Sequence, residues 1–130
     1  MRLITLTFLI FLLSCSEKNP VNPQNQSPEI LSLEVFPKTI GPSDSVIIIC
    51  NAIEPDGDTL FYDWITDGLV RIKGTNFSRL YNTLENTRIF YPKQGAVNLP
   101  VDTLWVQCFV RDGRGESDNR MISFIVKTDY

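Results

Sequence analysis

The chain has 130 residues, of which 43% are apolar, and because a globular domain usually needs about 100 to 150 residues, this length allows one domain and excludes two. The absence of histidine excludes Ser-His and Cys-His catalytic pairs and removes the commonest zinc ligand. A net charge of −3 supplies no cationic field for a phosphate backbone, which argues against nucleic acid as a partner.

The N-terminus is predicted to be a secretory signal. Arg2 gives one positive charge, and residues 3–13 (LITLTFLIFLL) form an eleven-residue run without charge. Eleven helical residues at about 1.5 Å each cover roughly 16 Å, about half of the hydrocarbon core of a bilayer. The run is therefore too short for a permanent anchor, and we expect it to be removed on export.

The cleavage region Leu12-Leu13-Ser14-Cys15 resembles the lipobox of bacterial lipoproteins. This resemblance implies cleavage before Cys15 and a thioether-linked diacylglycerol on its sulfur. Each buried methylene contributes about 0.8 kcal/mol, so two or three acyl chains hold a domain durably at a membrane. Because Ser16 is not the aspartate of an inner-membrane retention signal, the expected location is the outer membrane, on its periplasmic side or at the surface. The alternative is an ordinary signal peptide with a chance cysteine.

The predicted organisation is a signal peptide over 1–14, a lipidated cysteine and linker over 15–27, and one domain over 28–130. Residues 16–27 (SEKNPVNPQNQS) contain a single apolar side chain, Val21. Such a segment buries too little apolar surface to offset the entropy lost on ordering. It is therefore predicted to be a flexible tether.

From Pro28 onward, short apolar alternations lie between turn residues, without a sustained helical period, and this pattern indicates β-strands. Turn signals include Asp67-Gly68 and Asp112-Gly113. Seven strands at spacings near ten residues predict an all-β two-sheet sandwich. The predicted strands cover 31–35, 46–52, 60–64, 70–72, 89–91, 104–110 and 122–126.

The cysteines support a particular sandwich. Once Cys15 is lipidated, two cysteines remain in an oxidising compartment, which is typical of a disulfide. Cys50 lies on the apolar side of the second strand and Cys108 on that of the sixth, so both are expected to face the core. In an immunoglobulin-type sandwich these strands face each other, and a tryptophan of the third strand, here Trp64, contacts the bridge. We therefore predict an immunoglobulin-like fold with an inter-sheet Cys50–Cys108 disulfide, the alternative being two separate buried thiols.

The chain contains the stretches 44–46 (DSV), 54–64 (EPDGDTLFYDW) and 110–115 (VRDGRG). Through these stretches it resembles the PKD-like and cadherin-like immunoglobulin-fold domains of bacterial surface proteins. The resemblance implies binding, adhesion or spacing and no catalysis. The sequence departs from the pattern at Glu54, which replaces the usual first aspartate, and at Val106, where antibody-type domains have tyrosine. A generic immunoglobulin-like module is therefore the safer interpretation.

Four acidic side chains form a candidate calcium site: Glu54, Asp56, Asp58 and Asp112. They follow the two cysteine-bearing strands, so the predicted disulfide would bring their turns together. Calcium takes six to eight oxygen ligands and tolerates irregular geometry. However, Asp-Gly sequences are also ordinary turn chemistry, and both interpretations stay open. No other cofactor is expected.

A second candidate site is apolar. If alternate residues of the third and sixth strands face the core, Phe61, Ile65, Trp105 and Phe109 face outward on neighbouring strands. An exposed apolar patch of this kind indicates either a partner or a cover. Residues 74–102 could supply a cover, and otherwise the patch is a docking surface for a protein or a glycan.

The predicted function is a non-catalytic, lipid-anchored envelope module for binding, adhesion or scaffolding. The alternative is a calcium- or carbohydrate-binding accessory domain of a larger envelope complex. Catalysis is disfavoured because a small sandwich without a cleft rarely gives two carboxylates, such as Asp56 and Asp58, different pKa values. A cysteine nucleophile would lack a histidine partner.

Overall fold

The structure, a computed structural model, describes residues 24–98 and 100–129. The predicted signal, Cys15 and the linker up to residue 23 lie outside these residues. Within the described part of the chain, no helix is long and apolar enough to cross a membrane. Nine strands occupy these residues: β1 Glu29–Phe36, β2 Thr39–Ile40, β3 Val46–Ile53, β4 Phe61–Thr66, β5 Val70–Ile72, β6 Arg79–Thr83, β7 Thr87–Pro92, β8 Val101–Arg111 and β9 Ser117–Lys127.

The strands form a two-sheet sandwich. One sheet has four strands in the order β1-β3-β7-β5, and the other has five in the order β2-β9-β8-β4-β6. All neighbouring strands are antiparallel except β2, which runs parallel to β9. The all-β two-sheet prediction is confirmed, with nine strands in place of about seven.

The core lies between the sheets because alternate residues of each central strand point inward. On β3, Val46, Ile48 and Cys50 are fully buried. On β8 every second side chain is likewise buried, and these side chains include Val106 and Cys108. Trp64 of β4 meets Phe90 of β7 with ring centroids 5.5 Å apart, so this contact joins the two sheets.

All seven predicted strands are present, and the two that sequence reasoning missed lie at sheet edges. β2 has only two residues, too few for an alternation to be visible. β6 reads RLYNT and turns a single apolar side chain, Leu80, toward the core. Edge strands of this kind bury too little to leave a period-two signal in the sequence.

The alternation of Leu31, Leu33 and Val35 is interrupted in β1. Ile30 pairs with Ala52 and Ser32 with Asn51, so Leu31 is an extra residue in the strand. A β-bulge of this kind shifts the side-chain parity. As a result Leu31 is 52% exposed, which alternation alone does not predict.

The cysteines lie where parity placed them. Cys50 belongs to the four-stranded sheet and Cys108 to the five-stranded sheet, and both are fully buried. Their sulfurs are 3.6 Å apart, whereas a disulfide bond is about 2.05 Å long. Both cysteines are free thiols in this structure, so the predicted approach of the two strands is correct but the predicted bond is not formed.

Candidate functional site

The four predicted surface residues lie on one face of the five-stranded sheet. β4 and β8 are neighbours, and their buried side chains, Trp64 and Val106 among them, point inward. Phe61, Ile65, Trp105 and Phe109 occupy the intervening positions, and all four are half-buried. We call this surface the five-strand face.

Residues 74–102 supply two strands that do not cover this face. β6 extends the same sheet by pairing with the edge of β4, and β7 belongs to the opposite sheet. The ring of Phe61 instead lies against the β8–β9 turn, where a β-carbon on Gly113 would approach its Cε2 atom to 3.3 Å. The β8–β9 turn therefore contributes to the half-burial of the Phe61 ring.

An ion pair is built into the five-strand face. Asp63 is only 9% exposed although it lies on the outward side of β4, between Phe61 and Ile65. Arg111 donates from Nε and Nη2 to the two Asp63 carboxylate oxygens, at 2.9 and 3.0 Å. The hydrogen bonds to Asp63 raise the pKa of Arg111 above its ordinary value. The guanidinium is therefore charged and held in a fixed plane.

Asn82 completes this network from the edge strand β6. Its backbone N–H donates to Asp63 Oδ1 at 2.8 Å, and its side-chain oxygen accepts from Arg111 Nη2 at 2.5 Å. Asn82 has a φ of 56°, in the left-handed region that asparagine tolerates better than most residues. The network of Asp63, Arg111 and Asn82 was not predicted from the sequence. Its sequence signal is limited to two charged residues, Asp63 and Arg111, at outward positions of strands whose outward sets include aromatic residues.

Polar and aromatic side chains alternate along β8. Gln107 lies between Trp105 and Phe109 on the outward side, and its amide donates to Asn119 of β9 at 3.0 Å. Met121, which pairs with Gln107 across β8 and β9, is 60% exposed. Rings and hydrogen-bonding groups are therefore mixed on the five-strand face.

The two cavities described in the structure lie away from this face. One has a volume of about 250 Å³ beside Lys73 and Ile89, and the other, of about 270 Å³, lies beside Asp44 and Tyr91. Pockets for drug-sized ligands usually hold roughly 300 to 1,000 Å³. These cavities do not provide a stronger candidate site than the five-strand face.

Three of the four predicted calcium ligands come together. Carboxylate oxygens of Glu54, Asp56 and Asp58 lie within 4.8 Å of one another. Asp58 also forms an ion pair with Arg114, at 3.0 Å between Oδ2 and Nε. Asp112 is not part of this group.

The Asp112 carboxylate instead accepts hydrogen bonds within its own turn. Its Oδ1 accepts the backbone N–H groups of Arg114, Gly115 and Glu116 at 2.7, 3.1 and 3.2 Å. Burial opposes ionisation of Asp112, but these bonds and one from Asn25 hold its pKa below the ordinary value. Turn chemistry therefore accounts for Asp112.

The end of the predicted linker is bonded to the acidic turns. Asn25 Nδ2 donates to Asp112 Oδ2 at 2.6 Å, the Gln26 backbone N–H donates to Asp56 Oδ2 at 2.6 Å, and Ser27 Oγ donates to Glu116 at 2.8 Å. The Gln26 side-chain amide also donates to Asp56 at 3.1 Å. We call residues 25–27 the N-terminal clasp. The bonds from the Gln26 backbone and side chain lower the pKa of Asp56.

The calcium interpretation stays a prediction. Asn25 Oδ1 and Glu54 Oε2 are buried oxygens without a hydrogen-bond donor among the described residues. These oxygens leave room for a cation, whereas the clasp and Arg114 already satisfy much of the acidic group. The observed hydrogen bonds therefore support roles for these acidic residues in the turn and in its contact with the N-terminal clasp.

The two buried cysteines differ in acidity, because their mutual hydrogen bond lowers the pKa of the Cys50 thiol and makes Cys108 the less acidic partner. Its hydrogen bond with Cys50 and then its burial raise the pKa of the Cys108 thiol well above the ordinary value. The thiolate is the nucleophilic form of cysteine. Cys108 is therefore not placed as a nucleophile toward substrates.

No family model matches this chain, and no curated protein is similar to it in sequence. Among solved structures, it is similar to one described in work on the promiscuous specificity of carbohydrate-binding modules of the β-sandwich superfamily, with a TM-score of 0.57 and 23% identity. The match covers 82% of this chain but only 36% of the other, so this chain spans about a third of its neighbour. It also matches a conjugative transposon lipoprotein from Bacteroides eggerthii, with a TM-score of 0.44, 16% identity and coverage of 75% of this chain and 94% of that one. The first similarity shows the β-sandwich fold.

Proposed function

We propose that this chain is an immunoglobulin-like, non-catalytic module of a bacterial cell envelope that binds a glycan through its five-strand face. The observation that carries the proposal is the arrangement of Phe61, Ile65, Trp105 and Phe109 on one face that β6 and β7 leave uncovered. The lipobox-like sequence ending at Cys15 supports attachment to the membrane through acyl chains.

The alternation along β8 suits a sugar chain. The C–H faces of sugar rings stack on aromatic rings, while their hydroxyl groups require hydrogen-bonding partners. Trp105, Gln107 and Phe109 supply these two kinds of contact in steps of about 6.8 Å, which is two residues of an extended strand. The shared fold with a carbohydrate-binding module supports the same ligand class.

A protein partner, held for adhesion or scaffolding, is the second candidate. Tyr81 of β6 and Met121 of β9 are 51% and 60% exposed, and Met121 enlarges the apolar area beside Gln107. Protein interfaces, however, are depleted of aspartate at their centres, although they are enriched in aromatic residues, methionine and arginine. The presence of Asp63 on this face therefore favours the glycan.

Oxidation of the cysteine pair belongs to the same proposal. In the envelope, the Cys50 and Cys108 thiols would lose two protons and two electrons to the disulfide of a thiol oxidase and form one S–S bond between the sheets. Their approach across the core supports this step, since only a small movement separates the sulfurs from bonding distance.

The test compares two matched serine variants of the full chain. Trp105→Ser should abolish retention on immobilised envelope polysaccharides without a large loss in melting temperature, because Trp105 lies on the outer face. Ile47→Ser removes an apolar side chain that is 43% exposed on the opposite sheet and should leave retention unchanged. Equal losses for both variants, or retention by Trp105→Ser, would contradict the glycan proposal. Capture of an envelope protein that depends on Trp105 would favour the second candidate.

Attachment to the membrane is tested in bacterial cells that express the full chain. Wild type should partition with the membrane fraction and incorporate labelled fatty acid, while Cys15→Ser should do neither. A Cys15→Ser variant that still carries fatty acid would exclude the lipobox interpretation.

A further inference from the structure

We propose that Arg111 and Asn82 form a subsite for the carboxylate of an acidic sugar at one end of the five-strand face. This inference rests on the proposed glycan-binding function and names the ligand class more closely. The ligand would be a glycan that contains uronic acid units.

The first argument is that Arg111 is fixed before any ligand binds. Asp63 accepts two of its N–H groups, and Asn82 accepts one more. Asp63 is buried, and both of its carboxylate oxygens accept hydrogen bonds, so its side chain holds Arg111 in one position. The usual cost of immobilising an arginine side chain is therefore already met in the free protein.

The second argument is that donors remain available on this fixed frame. Among residues 24–98 and 100–129, neither Arg111 Nη1 nor Asn82 Nδ2 has a hydrogen-bond partner. The bond between Arg111 Nη2 and Asn82 Oδ1 keeps the two groups adjacent, and the Arg111 side chain is 37% exposed. Two neighbouring N–H donors, one of them cationic, suit the two oxygens of a carboxylate.

The third argument is that rings flank these donors. Phe61 is the cross-strand partner of Arg111, and Phe109 lies two residues earlier on the same side of β8. A sugar ring stacked on either phenyl group would bring its substituents to the level of Arg111. The subsite is therefore continuous with the part of the five-strand face that carries Trp105 and Phe109.

The fourth argument is the sign of the accessible charge. Arg79 pairs with Ile65 and is exposed on the same face without a salt bridge among the described residues. Both outward acids of β4 and its following turn are occupied internally, Asp63 by Arg111 and Asp67 by the backbone N–H groups of Leu69 and Trp105. The most exposed of these charged side chains, Arg79, is thus cationic, although the chain carries a net charge of −3.

A purely structural role would give a different result. Asp63 lies opposite the extra residue of β6, where the register shifts between Tyr62 and Trp64, so the network also holds this edge strand in place. That role predicts a loss of stability when a residue of the network is replaced. It predicts no preference for acidic over neutral ligands in the wild type.

The experiment measures binding of the full chain, purified in detergent, to oligogalacturonate and to the same oligosaccharide after reduction of its carboxyl groups. We expect the acidic form to bind on the order of tenfold more tightly, as one charge-assisted contact would give, and the difference to shrink as salt rises. Arg111→Met should abolish the difference. Asn82→Gly should reduce it, and it suits the positive φ of this position. Arg114→Met, which removes an arginine at the acidic turn, should leave it unchanged.

Each outcome separates the inference from the function on which it rests. Equal binding of both oligosaccharides by the wild type, still dependent on Trp105, would overturn the subsite and leave glycan binding intact. Binding of neither oligosaccharide, nor of immobilised envelope polysaccharides, would remove both. If Arg111→Met does not fold, the comparison of the two ligands on wild type and Asn82→Gly still decides the matter.

Discussion

The two outer faces of the sandwich expose similar kinds of residue in different arrangements. On the four-stranded sheet, Phe36, Ile47 and Ile89 form one apolar row across β1, β3 and β7, and Phe36 and Ile47 are 54% and 43% exposed. The polar side chains of Asn51 and Ser32 bond to each other elsewhere on that face. On the five-strand face the rings are less exposed and alternate with polar groups.

If the five-strand face binds a glycan as proposed, the exposure of apolar residues does not by itself mark a binding face. Exposed apolar residues are common on protein surfaces, because more than half of the accessible surface comes from apolar atoms. A recognition surface also needs polar groups whose positions are fixed relative to the apolar ones. The Asp63–Arg111 pair provides this on one face, whereas the ion pair formed by Arg88 on the other sheet has a carboxylate, Glu85, that is 66% exposed.

Both faces belong to sheets that share one core. The largest loss of stability should therefore come from a substitution at the contact that joins the two sheets. Trp64→Ala removes the ring that meets Phe90 and should lower the free energy of unfolding by about 3 to 5 kcal/mol. Denaturant unfolding measures this loss, and Trp105→Ala on the five-strand face is the matched control. If the two variants lose equal stability, Trp105 belongs to the core and the distinction between inside and face fails.

The next largest effect concerns the cysteines, which lie on opposite sheets. A disulfide would close a loop of about 58 residues and stabilise the fold by roughly 4 kcal/mol on the chain-entropy model. Protein isolated from the envelope should therefore show no free thiols after denaturation, and reduction should lower its unfolding midpoint. Two titratable thiols in the denatured, unreduced protein would show that the pair stays reduced.

The smallest expected effect is at the acidic turns, where the clasp joins the start of β1 to turns of both sheets. The pKa of Asp56 is held below its ordinary value of 3.8 by the hydrogen bonds from Gln26. A group with a depressed folded pKa stabilises the fold above its unfolded pKa and loses this contribution as the pH falls through the folded value. Melting temperature should therefore fall below about pH 3.8, and Asp56→Asn should make the fall less steep.

Asp129→Asn, at a carboxylate outside the clasp, is the control and should leave the pH profile of wild type unchanged. The same melts in EDTA and in millimolar Ca²⁺ test the calcium interpretation of Glu54, Asp56 and Asp58. That interpretation requires a higher melting temperature with calcium. Superimposable melts would leave these carboxylates with turn and clasp roles alone.

Sequence reasoning succeeded where burial produces a local period. Val46, Ile48 and Cys50 alternate because one side of β3 faces the core, and the same logic placed Phe61 and Trp105 on the outside. It failed at Leu31, because a bulge changes parity without changing composition. It also treated Asp112 as a candidate ligand, since sequence does not show that backbone N–H groups already occupy its carboxylate.

The sequence by itself determined the all-β class, the inward parity of both cysteines and the outward parity of the rings, because each depends on a two-residue repeat along a single strand. Tertiary structure alone decided the contact of Arg111 with Asp63 and Asn82, and the contact of residues 25–27 with Asp56, Asp112 and Glu116. These partners are 19 to 89 residues apart in the chain. Their meeting depends on strand order and bulges, which no local pattern of side chains encodes.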